Sequence, residues 1–306
     1  MTTNIDDLEV DASAAPPIED SGLVDRQPED RRSALREIAG WGRRYLRTHP
    51  LLSLDTVGGQ LQLAARTIQY FFVDLFTGKF QWQEFVRQAA FMAGTSFIPT
   101  VFVTIPLGVT LAIQFSVIAG QIGATSLAGA ATGMFTIRQG ASLTSALLLA
   151  SAVGSAVCAD LGARTMREEI DAMEVMGVSP IRRLVVPRFA AVILIGLALT
   201  GWTCFVGFLA GYIFNVYMQN GTPGSFLDTY SAFVIPGDFV LAFAKSVIFG
   251  AIVAIVASHK GLNTRGGPAG VANSVNAAVV ESILLLMTVN VVLTQLYILI
   301  FPRATL

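Results

Sequence analysis

Charge is scarce in this sequence. Only 13% of its 306 residues are Asp, Glu, Lys or Arg, about half the share of a soluble domain. A water-exposed fold this apolar would present large greasy patches and aggregate, so a soluble globular protein is excluded. Histidine and cysteine are scarcer still, with two of each. Neither a disulfide framework nor a His/Cys metal site can be built from them at these spacings. Cys158 and Cys204 lie inside apolar runs and read as small buried hydrophobes. No G-x-x-x-x-G-K-[ST] phosphate loop occurs, so the chain is not expected to bind ATP itself and no cofactor is assigned. The net charge of −1 gives no reason to expect nucleic acid. The first 30 residues lack an apolar h-region, and no signal peptide is expected.

What is abundant is hydrophobic length: 53% of residues are apolar and the mean hydropathy is +0.62. The fold class follows as all-α and polytopic, with about five transmembrane helices. Residues 1–30 hold nine acids and one base, Arg26, and read as a disordered acidic cytoplasmic tail. From Arg31 to Arg47 six arginines interleave with Leu35, Ile38, Trp41 and Leu46, as in a helix on anionic headgroups. Residues 56–90 are aromatic but broken by Asp74, Lys79, Glu84 and Arg87, so 31–90 is expected to hold interfacial amphipathic helices.

A membrane-crossing helix needs roughly 20 apolar residues. Candidate spans are 91–119, 142–160, 188–217, 236–258 and 272–301. Pro99 and Pro106 predict a kink or break in the first. Basic residues fall in alternate connections: before the first span, in 161–187 (Arg164, Arg167, Arg182, Arg183) and in 259–271 (Lys260, Arg265). The connection 218–235 has none, and 120–141 has only Arg138. That alternation predicts a multi-pass protein of the inner (plasma) membrane with a cytoplasmic N-terminus and an extracytoplasmic C-terminus.

The connection after the second span carries most information. Asp160/Arg164, Arg164/Glu168 and Arg167/Asp171 are spaced to support a helix, with Met166, Ile170 and Met173 as one apolar stripe extended by Val175 and Met176. Gly177 is placed to end it, and Ser179-Pro180 to cap and start the next helix. A short amphipathic helix across the cytoplasmic face results, either lying on the membrane or docking a soluble partner.

Residues 168–188, Glu-Glu-Ile-Asp-Ala-Met-Glu-Val-Met-Gly-Val-Ser-Pro-Ile-Arg-Arg-Leu-Val-Val-Pro-Arg, closely resemble the signature of MlaE/YrbE permeases of ATP-binding-cassette (ABC) transporters. Cys158–Thr165 and Phe80-Gln-Trp-Gln-Glu-Phe85 resemble the version in A-type YrbE subunits of actinobacterial Mce systems. The resemblance implies a permease domain over 91–306 whose coupling helix, within 161–180, docks an ABC ATPase. Its contact candidates are Glu168, Glu169, Asp171, Met173, Glu174 and Met176. It also implies a second YrbE-type permease as heterodimer or homodimer partner, MCE-domain proteins outside the membrane, and lipid as substrate. A sterol, a fatty or mycolic acid, or a phospholipid would be moved, with import the expected direction.

Two ionisable residues fall inside spans: Lys245 in the fourth and Glu281 in the fifth. Charges in a bilayer face protein, water or a partner, and counting from the span ends predicts a Lys245–Glu281 pair. Relatives carry a similar Lys-Ser-Val-x-Phe run near the lipid pathway. Arg138-Gln139-Gly140-Ala141 departs from the family, which has an acid where Gln139 stands and Pro where Ala141 stands. Arg138 is either a boundary cation or a pathway residue. The rival classes are an ion-coupled secondary transporter using Lys245 and Glu281, a non-transporting scaffold, and an intramembrane enzyme; no nucleophile–base constellation supports the last. Gly129-x-x-x-Gly133 and Gly207-x-x-x-Gly211 are spaced for close helix contact, and Gly261, Gly266, Gly267 and Gly270 for a tight turn.

Overall fold

A computed structural model describes residues 56–300 apart from 79, 122, 124–127 and 219–220. The expected acidic tail and the arginine-rich helix of 31–50 lie outside the described residues. The chain divides into two units, Met1–Val57 and Gly58–Leu306, and every contact below lies within the second.

The described residues form helices and no strand. In order they are α1 (56–77), α2 (Trp82–Gln121), α3 (Ala131–Met166), α4 (Glu169–Val175), α5 (Ile181–Met218), α6 (Pro223–Phe233), α7 (Pro236–Leu262) and α8 (Gly267–Ile300). Five of them, α2, α3, α5, α7 and α8, are long and apolar enough to cross a membrane. The fold class is therefore all-α and polytopic, as the apolar runs require.

Burial divides the spans into an inner and an outer set. The most apolar windows of α3, α5 and α7 are 50–56% buried, against 17% for α2 and 11% for α8. The main core joins Leu149, Val153, Val157 and Leu161 of α3 to Phe189, Val192 and Leu199 of α5 and Ala254 and Val256 of α7. Each is apolar at helical spacing on a face turned to its neighbours.

Several boundaries differ from expectation. The amphipathic stretch 56–90 is two elements, because Gly78 has φ +70° and the chain turns there. Trp82 to Ala90 are continuous with α2 as its first turns. Pro99 and Pro106 do not break α2, which runs helical through both; each removes one main-chain bond, and the remaining bonds keep the helix continuous. The expected 120–141 loop is helical from Ala128, so Arg138 sits within a helix. It lies in a π-type turn, Thr136–Gly140, and a second such turn spans Leu149–Gly154. Turns of this kind each insert a residue and recur at functional positions.

The glycine pairs do bring helices together. A methyl group at Gly207 would stand 2.8 Å from Thr136, and one at Gly133 would stand 2.6 Å from Tyr230. Gly266 and Gly267 both have positive φ at the α7–α8 turn. Gly261 is a contact glycine instead: within α7, its Cβ would lie 2.8 Å from Leu161 Cβ and 3.0 Å from the Cys158 carbonyl of α3. Those atoms are main chain or fixed to it and cannot swing aside. Gly261→Val is expected to cost about 1–3 kcal/mol through overpacking. Thermal unfolding in detergent checks this against Gly94→Val, whose Cβ meets nothing within 4 Å. Equal midpoints for the two variants would contradict the contact.

Candidate functional site

Two places in the bundle concentrate polar chemistry. The first is a buried cluster where α3, α7 and α8 meet. Lys245 of α7 is fully buried, with 0% relative exposure. Its Nζ donates to Thr294 Oγ1 at 2.8 Å, Asn290 Oδ1 at 3.0 Å, the Arg138 carbonyl at 3.1 Å and Gln139 Oε1 at 3.4 Å. Asn290 Nδ2 in turn donates to Gln139 Oε1 at 3.1 Å. Gln139 Nε2 donates to Thr294 Oγ1 at 3.2 Å. An ammonium has three protons, and four oxygens stand around this one.

About two turns toward the start of α7, Arg138 Nε donates to Asp238 Oδ1 at 2.8 Å. Asp238 is itself fully buried. Its Oδ2 accepts the Ile235 N–H at 3.2 Å, closing the start of α7, and its Oδ1 accepts the Tyr297 hydroxyl at 3.2 Å. A carboxylate in the first turn of a helix suits the dipole there, so Asp238 both caps α7 and balances Arg138. The π-type turn lets Arg138 and Gln139 serve this cluster together.

The structure does not bring Lys245 and Glu281 together. Glu281 pairs with Lys260 Nζ at 2.7 Å and accepts a hydrogen bond from Gln60 of α1. Lys260 lies fifteen positions after Lys245 on α7, about 22 Å at the helical rise. The expected pair failed because α8 is long, 34 residues: its first half runs beside the α4 end of α7, where Glu281 meets Lys260. The residues level with Lys245 are Asn290 and Thr294.

The second place is the α3–α4–α5 connection. The expected continuous helix is two. α3 ends at Met166, and Glu168 adopts φ 60°, the single non-glycine residue with positive φ among those described. That turn breaks the Arg164/Glu168 and Arg167/Asp171 spacings; Arg164 and Arg167 instead pair with Glu169 at 3.6 and 2.8 Å. Arg164 keeps Asp160 at 3.3 Å. Gly177, φ +75°, closes α4 as its position predicts. Its N–H donates to the Glu174 carbonyl and that of Val178 to the Met173 carbonyl, both at 2.9 Å, the paired closure favoured by a left-handed glycine. Ser179 Oγ accepts the Arg182 N–H at 3.5 Å at the start of α5.

The six coupling candidates divide by exposure. Glu168, Asp171, Glu174 and Met176 face outward. Glu169 is half-buried in its arginine pairs, and Met173 packs against the core beside buried Ile170. The most exposed large apolar side chain is one that the resemblance does not include among the contact candidates: Val175, at 89%, next to Met176 at 70%. Beneath them, Arg188 is buried and donates to the Leu184 carbonyl at 2.9 Å and to Asp160. Arg182 binds Asp74 of α1, at 2.9 Å from Nε.

Asp238, Asn290, Thr294 and Tyr297 were also not singled out in the sequence. Asn290 and Thr294 stand i,i+4 in a largely apolar run, a spacing that places both polar groups on one helix face, the side turned to Lys245.

Comparison with known proteins supplies the family. The Permease MlaE model matches residues 85–296, a stretch that includes both polar places. A probable ABC transporter permease protein of Synechocystis is 35% identical over 57% of this chain and 66% of its own length. One of Rickettsia conorii is 26% identical over 69% of this chain and 82% of its own. Protein trigalactosyldiacylglycerol 1, chloroplastic, of Arabidopsis thaliana is 26% identical over 80% of this chain and 67% of its own. With the match extending over most of the helical bundle, the chain belongs to the MlaE permease family.

Proposed function

We propose that this chain is the membrane subunit of an ATP-driven lipid transporter, with α4 resting on a separate ATPase. The observation that carries the reading is the outward surface of Asp171, Glu174, Val175 and Met176 on a helix fixed at both ends. An exposed apolar pair rimmed by acids is what a partner groove takes up. Kinship supports the cargo: one relative bears the name of a glycolipid. ATP stays with the partner chain, and this subunit works by differential binding between conformations, not by covalent catalysis.

The α4 end is the cytoplasmic end in this reading. Arg164, Arg167, Arg182, Arg183, Lys260 and Arg265 lie there, and α6 at the other end has no base, which follows the positive-inside tendency. The N-terminus is then inside and the C-terminus outside the inner membrane. The thinly buried α2 and α8 leave faces for a second permease, either a YrbE-type paralogue or another copy, with the lipid path between the subunits. MCE-domain proteins on the outer side and import of lipid complete the Mce-type assignment. In the ion-coupled rival Lys245 and Glu281 would act separately, since they bind different partners, and co-purification of an ATPase would dismiss it.

Replacing Val175 with Asp, or Glu174 with Lys, is expected to cut recovery of the ATPase with the affinity-purified subunit by roughly tenfold, about 1.4 kcal/mol. Both side chains face outward, so the bundle itself should keep its melting temperature. Undiminished recovery in both variants would remove α4 from the interface.

The Lys245 cluster gives a second test. Asn290→Asp supplies a charged partner, which strengthens a hydrogen bond roughly twofold and resists partner exchange. The variant is expected to melt higher yet move lipid several-fold more slowly in reconstituted vesicles containing the ATPase. Transport at the wild-type rate would show that Lys245 keeps its partners throughout the cycle.

A further inference from the structure

An apolar cleft of about 640 Å³ lies on the flank formed by α1, the α1–α2 turn, α5 and α7. Its size is that of a small-molecule site, roughly 300–1,000 Å³. Ile68, Phe72, Leu75, Ile193, Leu197 and Ile248 are among its walls, and no charged residue lines it. One wall is stiffened by edge-to-face aromatic contacts: Phe71 to Phe80 and to Phe189, each at 6.1 Å, and Phe80 to Trp82 at 5.0 Å. A second cavity, about 570 Å³, adjoins it at Trp82, which lines both. Its chemistry is the opposite: Arg87, Arg164 and Arg183 stand against Glu84, with Gln81 and Gln83 as further polar groups.

Some of that charge is already balanced. Arg164 pairs with Asp160 and Glu169, and Arg87 reaches Glu84 only at 3.9 Å. Arg182 is held by Asp74 of α1. Arg183 is exposed and has no ion-pair partner among the described residues. An apolar slot, an aromatic boundary and an under-balanced cationic pocket thus follow one another. That sequence matches one ligand form: an acyl chain, an interfacial region where an indole sits, and an acidic head.

We propose that this flank binds one anionic bilayer lipid, its acyl chain in the cleft and its acidic head against Arg183 and Arg87. The site is on the side of the subunit bounded by α1, apart from the Lys245 cluster, and requires only that the chain be embedded in a bilayer. It stands whether or not the lipid-transport reading does. A bound lipid here would fasten α1 to α5 and α7 alongside the Asp74–Arg182 bond.

Trp82 reports directly on the site. The chain has three tryptophans, so full-length protein carrying Trp41→Phe and Trp202→Phe fluoresces from Trp82 alone. It is placed in phosphatidylcholine vesicles doped, at equal mole fraction, with acyl-brominated phosphatidylglycerol or acyl-brominated phosphatidylcholine. The anionic quencher is expected to act at roughly fivefold lower mole fraction, the scale of one cation at a charged leaflet. Arg183→Gln should remove most of that preference, and Arg265→Gln, at the α7–α8 turn, should leave it intact. Equal quenching by the two lipids overturns the proposal. Absence of quenching by either also overturns it, because the cleft would then be covered by protein.

Discussion

The bundle depends on how a cation is kept inside a bilayer. Lys245 has lost all water, and a charge so placed is tolerated only when its protons are taken up by protein. Oxygens from the π-type turn of α3 and from α8 do this, and α7 supplies the lysine. Three helices are thereby fixed at one level. That constraint explains why α8, whose apolar window is only 11% buried, holds a defined register: Asn290 and Thr294 must stay opposite Lys245. It also explains the irregular turn at Thr136–Gly140, which directs the Arg138 carbonyl to Lys245 and the Arg138 guanidinium to Asp238.

The α4 end is held by different means. Asp160 with Arg188, Asp74 with Arg182 and Glu281 with Lys260 are all ion pairs joining separate helices. Each pair sets a buried or half-buried side chain against a more exposed partner, so water reaches one side of each and weakens it relative to a fully buried pair. Their value is positional. Arg188 ties the base of α5 to the last turns of α3, and α4 leaves from those same turns. α4 is thus joined most directly to α3 and α5. The left-handed Glu168 on one side and the Gly177 closure on the other leave α4 little freedom to absorb a displacement itself.

Much of this was legible in the sequence, for reasons that differ by element. The five spans were readable because a bilayer demands long apolar runs. Gly177 and Ser179-Pro180 were readable because helix closure and opening have local chemistry. The elbow's division at Gly78 was not, because aromatic residues continue on both sides of it. The π-type turn at Thr136 was invisible for a similar reason: one extra residue in a turn leaves no mark in composition. Val175 is readable as a sideways extension of the apolar stripe, but its exposure is not, because the stripe alone does not show which of its members turn outward. In α4 Ile170 and Met173 turn inward and Val175 turns out.

The misplaced Lys245–Glu281 pair shows what depth counting omits. The count assumed that span ends coincide with membrane boundaries, but a helix can extend past the hydrocarbon before it turns. Once the antiparallel register of α7 and α8 is set by Lys245 with Asn290 and Thr294, Glu281 must fall beside Lys260. The physical consequence matters more than the correction. A Lys–Glu pair at mid-membrane would be costly to separate, since each partner would be left as an unpaired charge. Neutral oxygens around Lys245, one more than its protons, allow a bond to be released as another forms. A lysine held by neutral oxygens can exchange partners at lower cost than one locked to a carboxylate.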